Sequence, residues 1–116
     1  MSSVLLAEDE FLIRAVLVEA LGEAGLECIE APTGKAALAT ITGNAALAAI
    51  IVDIGLPDMS GERVIEAAIR HRPGVPIIRC SGNDAAASDH PRIHVFHKPY
   101  IATDLSRFVA SLVGKA

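Results

Sequence analysis

Asp53 closes the apolar run Ala48-Ala49-Ile50-Ile51-Val52, and the acidic pair Glu8-Asp9 closes another, Val4-Leu5-Leu6-Ala7. Short apolar runs of this kind read as strands buried on both faces, the pattern of a parallel sheet. Ligands of such sheets sit beyond the carboxyl ends of the strands, so both runs deliver their acids to one edge. Like charges held a few ångströms apart raise one another's pKa or recruit a cation. An all-oxygen donor set suits a hard ion such as Mg2+. Helix capping would account for Glu8-Asp9, because carboxylates favour the positive end of the helix dipole, but it leaves Asp53 unexplained. The three acids together describe a metal-assisted acidic site.

The elements that must position these acids alternate along the chain. After the first strand, Ile13, Val16, Leu17, Ala20, Leu21 and Ala24 recur at helical spacing, and Gly25 supplies the stop. Leu26 to Ala31 reads as a short strand. Ala37, Leu38 and Ile41 follow Thr33-Gly34 as a second helix that ends near Gly43-Asn44. A loop with Pro57 and Gly61 leads from Asp53 into a helix carrying Val64, Ile65, Ala68 and Ile69, closed by Pro73-Gly74. Val75 to Cys80 and Ile93 to His97 are the remaining strands, and Leu105, Phe108, Val109, Leu112 and Val113 stripe a last helix. This alternation predicts an α/β fold, a flavodoxin-like doubly wound parallel sheet of five strands in the order 2-1-3-4-5. In that order the first and third strands are neighbours, which brings Glu8, Asp9 and Asp53 together where the winding reverses.

Composition narrows the function classes. The 116 residues suit one domain spanning 1–116. The longest apolar stretch, Ala45 to Val52, is too short to span a bilayer, and Met1-Ser2-Ser3 lacks the basic start of a signal peptide. A cytoplasmic protein without membrane attachment is the expectation. With a net charge of −4, no basic run, and Phe11, Phe96, Phe108 and Tyr100 as the aromatic residues, nothing supports nucleic-acid binding. Cys28 and Cys80 fall in strands and read as inert core thiols. His90, His94 and His97 suggest zinc by proximity, but strand alternation sends His94 and His97 to opposite faces. Asp58, Glu62 and Asp84 are expected to be solvated loop or helix-start charges, and Asp104 a dipole-favourable residue of the last helix.

Asp53-Ile-Gly-Leu-Pro-Asp-Met-Ser-Gly61, taken with Glu8-Asp9, Ser81 and Lys98-Pro99, resembles the receiver domain of bacterial two-component response regulators over essentially the whole chain. The resemblance implies that Asp53 accepts a phosphoryl group, and that Asp9, Asp53, the carbonyl of Gly55 and, partly through water, Glu8 hold Mg2+. It implies that Lys98 pairs with the phosphoryl oxygens once they arrive and that Ser81 donates a hydroxyl hydrogen bond to them; in the family the bond corresponding to Lys98-Pro99 is often cis. An acyl phosphate on aspartate is chemically accessible. The obstacle is an anion approaching an anion, so catalysis is mostly positioning and neutralisation.

Two features depart from the family pattern. Most receivers carry Tyr or Phe three residues before the lysine, where its inward rotation reports phosphorylation. Here that position is Val95, and Phe96 should face the other way. The crossover from Gly82 to Arg92 is short and lacks a large apolar side chain, so a fourth helix there is marginal or disordered and its ordering becomes the expected route of signalling. Pro76, Ser81 and Gly82 also partly match the P-F-x-F-A-T-G motif of a stand-alone receiver subgroup with a degenerate fourth helix.

The sequence thus predicts a stand-alone response regulator, not an enzyme in its own right, charged by a sensor histidine kinase or a histidine phosphotransfer protein. It would signal to a downstream protein or act as a phosphate sink. Since the chain stops at Ala116, no DNA-binding effector is expected. One rival is a haloacid-dehalogenase-like phosphatase, which wants a second Asp where Gly55 stands and a general acid besides. The other is a receiver-fold adaptor without phosphorylation, which predicts gaps in the acidic cluster or at Lys98.

Overall fold

The computed structural model describes residues 3–82 and 90–114. In chain order the elements are β1 (Ser3–Ala7), α1 (Phe11–Glu23), β2 (Cys28–Ala31), α2 (Gly34–Ile41), β3 (Leu47–Asp53), α3 (Gly61–His71), β4 (Ile77–Ser81), β5 (Ile93–His97) and α4 (Ala102–Leu112). The strands form one parallel sheet in the order β2-β1-β3-β4-β5. This is the flavodoxin-like architecture that the alternation predicted. The marginal helix expected between Gly82 and Arg92 falls on 83–89, outside the described residues.

Each face of the sheet carries its own apolar layer. Leu5, Ile50, Val52 and Ile77 pack with Ala37, Ile41, Val64 and Ile65 under α2 and α3. Leu6, Ile51, Ile78 and Cys80 pack with Leu17, Leu21, Leu105 and Val109 under α1 and α4. Alternating side chains of β1, β3 and β4 thus feed opposite layers, which is why these strands read as continuous apolar runs.

Local chemistry sets the ends. At the close of α1, Gly25 takes φ 86°, Leu26 N–H donates to Leu21 O at 2.9 Å and Gly25 N–H to Gly22 O at 3.0 Å. This left-handed turn draws Leu26 out of the expected second strand, which begins only at Cys28. The fourth strand starts later than expected because Val75 N–H is bound in a turn to Arg72 O at 3.2 Å. Val16, expected on the core stripe of α1, is 57% exposed, with Phe11, Leu12 and Ile101 also exposed. The apolar face of α1 is wider than the sheet and α4 can cover.

The loop after β3 does more than connect. Asp58, expected to be solvated, accepts from Gly34 N–H at 2.7 Å and Lys35 N–H at 2.9 Å, capping α2 from across the fold. Those two hydrogen bonds hold its carboxyl below the usual range. Thr33 completes the cap by accepting from Ala36 N–H at 3.1 Å. Gly61 opens α3 against the end of β3, where a Cβ would stand 2.5 Å from the carbonyl oxygen of Asp53 and 2.7 Å from Ile54 Cα. Only glycine allows the helix to start that close.

Candidate functional site

Register brings the acids together. Ala7 pairs with Val52, so Glu8 leaves β1 beside Asp53, the last residue of β3. Carboxylate oxygens of Glu8, Asp9 and Asp53 lie within 4.8 Å of one another. Glu8 is 1% and Asp53 5% exposed, while Asp9 is only partly buried. Lys98 follows β5 and reaches back across β4: its backbone N–H donates to Ser81 O at 2.7 Å and its Nζ donates to Asp53 Oδ1 at 2.9 Å. The Lys98-Pro99 peptide is cis, in keeping with the resemblance. Gly55 N–H donates to the same Oδ1 at 3.1 Å.

Lys98 therefore has a partner before any phosphoryl group arrives. The resemblance implies the phosphoryl oxygens as its partner, and this contact with Asp53 was not foreseen from the sequence. Burial disfavours its charge, but the hydrogen bond and charge of Asp53, helped by Glu8, outweigh this and raise its pKa. Glu8 moves upward to about 7: burial raises it most, the hydrogen bond from Glu10 N–H at 3.1 Å opposes, and the charge of Asp53 adds to the rise.

These residues fit a hard divalent cation. Among the described residues the three carboxylates face the Lys98 ammonium, and Glu8, raised to about 7 by burial first and by the charge of Asp53 as well, is an acid that a bound cation would help to ionise. All the side-chain donors in the group are oxygens, which suits Mg2+ and not a soft metal.

Ser81 ends β4, next to the strand of Asp53, and is buried. Its Oγ accepts from Arg79 Nη1 at 3.1 Å, and Arg79 is ion-paired with Glu62 at the start of α3. Glu62 is the exposed helix-start charge expected and carries this ion pair besides, while Arg79 was not singled out from the sequence. Its signal was available: a lone basic residue inside Pro76-Ile-Ile-Arg-Cys-Ser81, on the face of Ser81 by alternation.

The histidines take no part in an acidic or metal cluster among the described residues. His94 packs edge-on against Phe108 with centroids 5.2 Å apart, and His97 is exposed. Phe96 lies on the α4 face against Phe108 and Tyr100, opposite to Ile93 and its layer, as alternation required. Both cysteines are free thiols, and burial pushes Cys28 up to about 11 and Cys80 to about 12. Unionised at neutral pH, they are poor nucleophiles.

Comparison with known proteins decides the family, because the response regulator receiver domain matches residues 4–100. The chain belongs to the response regulator receiver family. Receivers of this kind serve two-component signal transduction. This receiver is 32% identical over 110 residues to the response regulator receiver protein CpdR of Brucella abortus (strain 2308), covering 90% of this chain and 91% of CpdR. It is 31% identical over 121 residues to the transcriptional regulatory protein PmrA of Pectobacterium parmentieri, covering 96% of this chain but 52% of PmrA. The chain thus spans about half the length of PmrA and most of CpdR. Among solved structures, a response regulator receiver protein from Sinorhizobium medicae WSM419 superposes with a TM-score of 0.85 at 25% identity, covering 97% of this chain and 94% of that one. No helix among the described residues is long and apolar enough to cross a membrane.

Proposed function

We propose that this receiver is a stand-alone response regulator that accepts a phosphoryl group on Asp53 from the phosphohistidine of a sensor histidine kinase or a histidine phosphotransfer protein. The observation that carries the reading is Asp53 itself: a buried strand-end carboxylate within 4.8 Å of Glu8 and Asp9, with Lys98 Nζ 2.9 Å from its Oδ1. Glu8, Asp9, Asp53 and the Gly55 carbonyl would hold Mg2+, which when bound supplies charge neutralisation for the phosphoryl oxygens.

The protein's own groups do the rest. A carboxylate oxygen of Asp53 attacks phosphorus; the new P–O bond forms as the P–N bond breaks, and the imidazole leaves with the electron pair and takes up a proton. Lys98 and Gly55 N–H fix the carboxylate through Oδ1, and the Lys98 ammonium then follows the charge onto the phosphoryl oxygens. Ser81 donates its hydroxyl to one of them. No general acid is needed, so the domain acts as a phosphorylated signalling module and catalyses only its own charging and discharge. Exposed Phe11, Leu12, Val16 and Ile101 suit a protein as the partner, and the output is a phosphorylation-dependent contact with a downstream protein or storage of phosphate in a relay. The reading places the protein in the cytoplasm.

Incubation with acetyl phosphate and Mg2+, followed by intact mass, tests it. Wild type should gain one phosphoryl group, while Asp53→Asn or EDTA should abolish the gain. Modification of Asp53→Asn at the wild-type rate would overturn the assignment.

A further inference from the structure

The end of β4 carries a network that the acidic cluster does not use. Arg79 and Ser81 stand two residues apart on one strand and so share a face of the sheet, the face on which Ile77 packs toward α3. There Arg79 Nη1 donates to Ser81 Oγ at 3.1 Å, Nε donates to Glu62 Oε2 at 3.1 Å, and Nη2 meets that same Glu62 oxygen. Ser81 is buried and the Arg79 side chain is 11% exposed, against 50% for Glu62. A half-exposed acid in the first turn of α3 is thereby linked, through a partly buried cation, to the hydroxyl at the edge beside the strand of Asp53.

The chemistry of this link has one sense. A guanidinium only donates, and it keeps its charge at every working pH. Facing it, Ser81 Oγ can only accept. The single hydrogen of the hydroxyl is therefore directed elsewhere, and the bond accepted from a cation polarises it as a donor. Register pairs Arg79 with Val95, so both side chains stand on one face. Position 95 is where an aromatic residue was expected by resemblance, and the short side chain of valine leaves that face to the guanidinium.

We propose that Arg79 is a positioning residue for phosphoryl acceptance: it fixes Ser81 Oγ as an acceptor so that the hydroxyl donates to the arriving phosphoryl group, and Glu62 braces it from α3. The inference rests on Asp53 being the acceptor.

A mutant cycle read by the rate of phosphorylation with acetyl phosphate and Mg2+ tests it. Arg79→Met should slow wild type about tenfold, the worth of one such hydrogen bond, and should add nothing in a Ser81→Ala background. Glu62→Gln should also slow the reaction although it removes a negative charge, and Arg79→Lys, which keeps the charge but not the fork, should stay slower than wild type. An Arg79→Met rate equal to wild type, an undiminished loss in the Ser81→Ala background, or a faster Glu62→Gln variant would each overturn the proposal. Should Arg79→Met fail to fold, Glu62→Gln at the half-exposed end carries the decision. Failure of the Asp53 reading shows separately, as wild type that gains no mass.

Discussion

Glu8 is the residue on which the charge balance of the site turns. Its folded-state pKa, about 7, lies above its ordinary value of 4.5, so without metal the native state binds the extra proton. Stability is then fully present below about pH 4.5 and falls as pH rises toward about 7. The loss should amount to about 1–3 kcal/mol. Urea melts of the metal-free protein across that range should show the decline, and Glu8→Gln should flatten it. A wild-type profile with no slope there would contradict the burial of an uncompensated acid. Lys98 supplies the charge that opposes this acidity. Because it already pairs with Asp53 at 2.9 Å, Lys98→Ala should destabilise the metal-free protein by about 1–2 kcal/mol, measured by thermal melting, as well as uncouple phosphorylation from output.

At the scale of elements, the loop from Ile54 to Ser60 has two structural tasks beside the chemistry. Asp58 caps α2 and Gly61 lets α3 begin against the backbone of Asp53. Asp58→Ala should speed amide exchange at Gly34 and Lys35 with little effect on β3, a local fraying that proton-exchange NMR resolves. Gly61→Ala should cost about 1–3 kcal/mol, since the new methyl meets backbone that cannot yield without moving Asp53. It should also slow charging by acetyl phosphate, whereas Asp58→Ala should not. Equal kinetics for Gly61→Ala and wild type would show that the end of β3 tolerates the shift. The motif from Asp53 to Gly61 thus joins the strand-end carboxylate to two helix starts.

For the whole molecule, the sheet acts as a frame that holds like charges close. β1 and β3 are central neighbours whose buried faces are packed by both apolar layers, so repulsion at their ends cannot be relieved by moving the strands. A cation that binds the folded site stabilises by mass action. The melting temperature should therefore climb with Mg2+ concentration and return on addition of EDTA. Asp9→Asn should melt higher than wild type without metal and lose most of the response to Mg2+. A variant destabilised under both conditions would assign Asp9 a purely structural part.

Strand identity, sheet order and the meeting of Glu8, Asp9 and Asp53 were legible in the sequence, because apolar runs ending in acids encode both burial and the edge to which the acids belong. The cis bond at Lys98-Pro99 and the opposed faces of Val95 and Phe96 followed from resemblance and alternation. Other features depend on which distant segments touch. Asp58 looks like a loop charge until the fold carries it to the first turn of α2, 24 residues away, and Glu62 looks like an unpaired helix-start charge until β4 lays Arg79 beside it. The pairing of Lys98 with Asp53 spans 45 residues. Periodicity reports a residue's face and its strand end; hydrogen bonds between such ends form only when neighbouring strands fix their register, and that was decided by the tertiary structure alone.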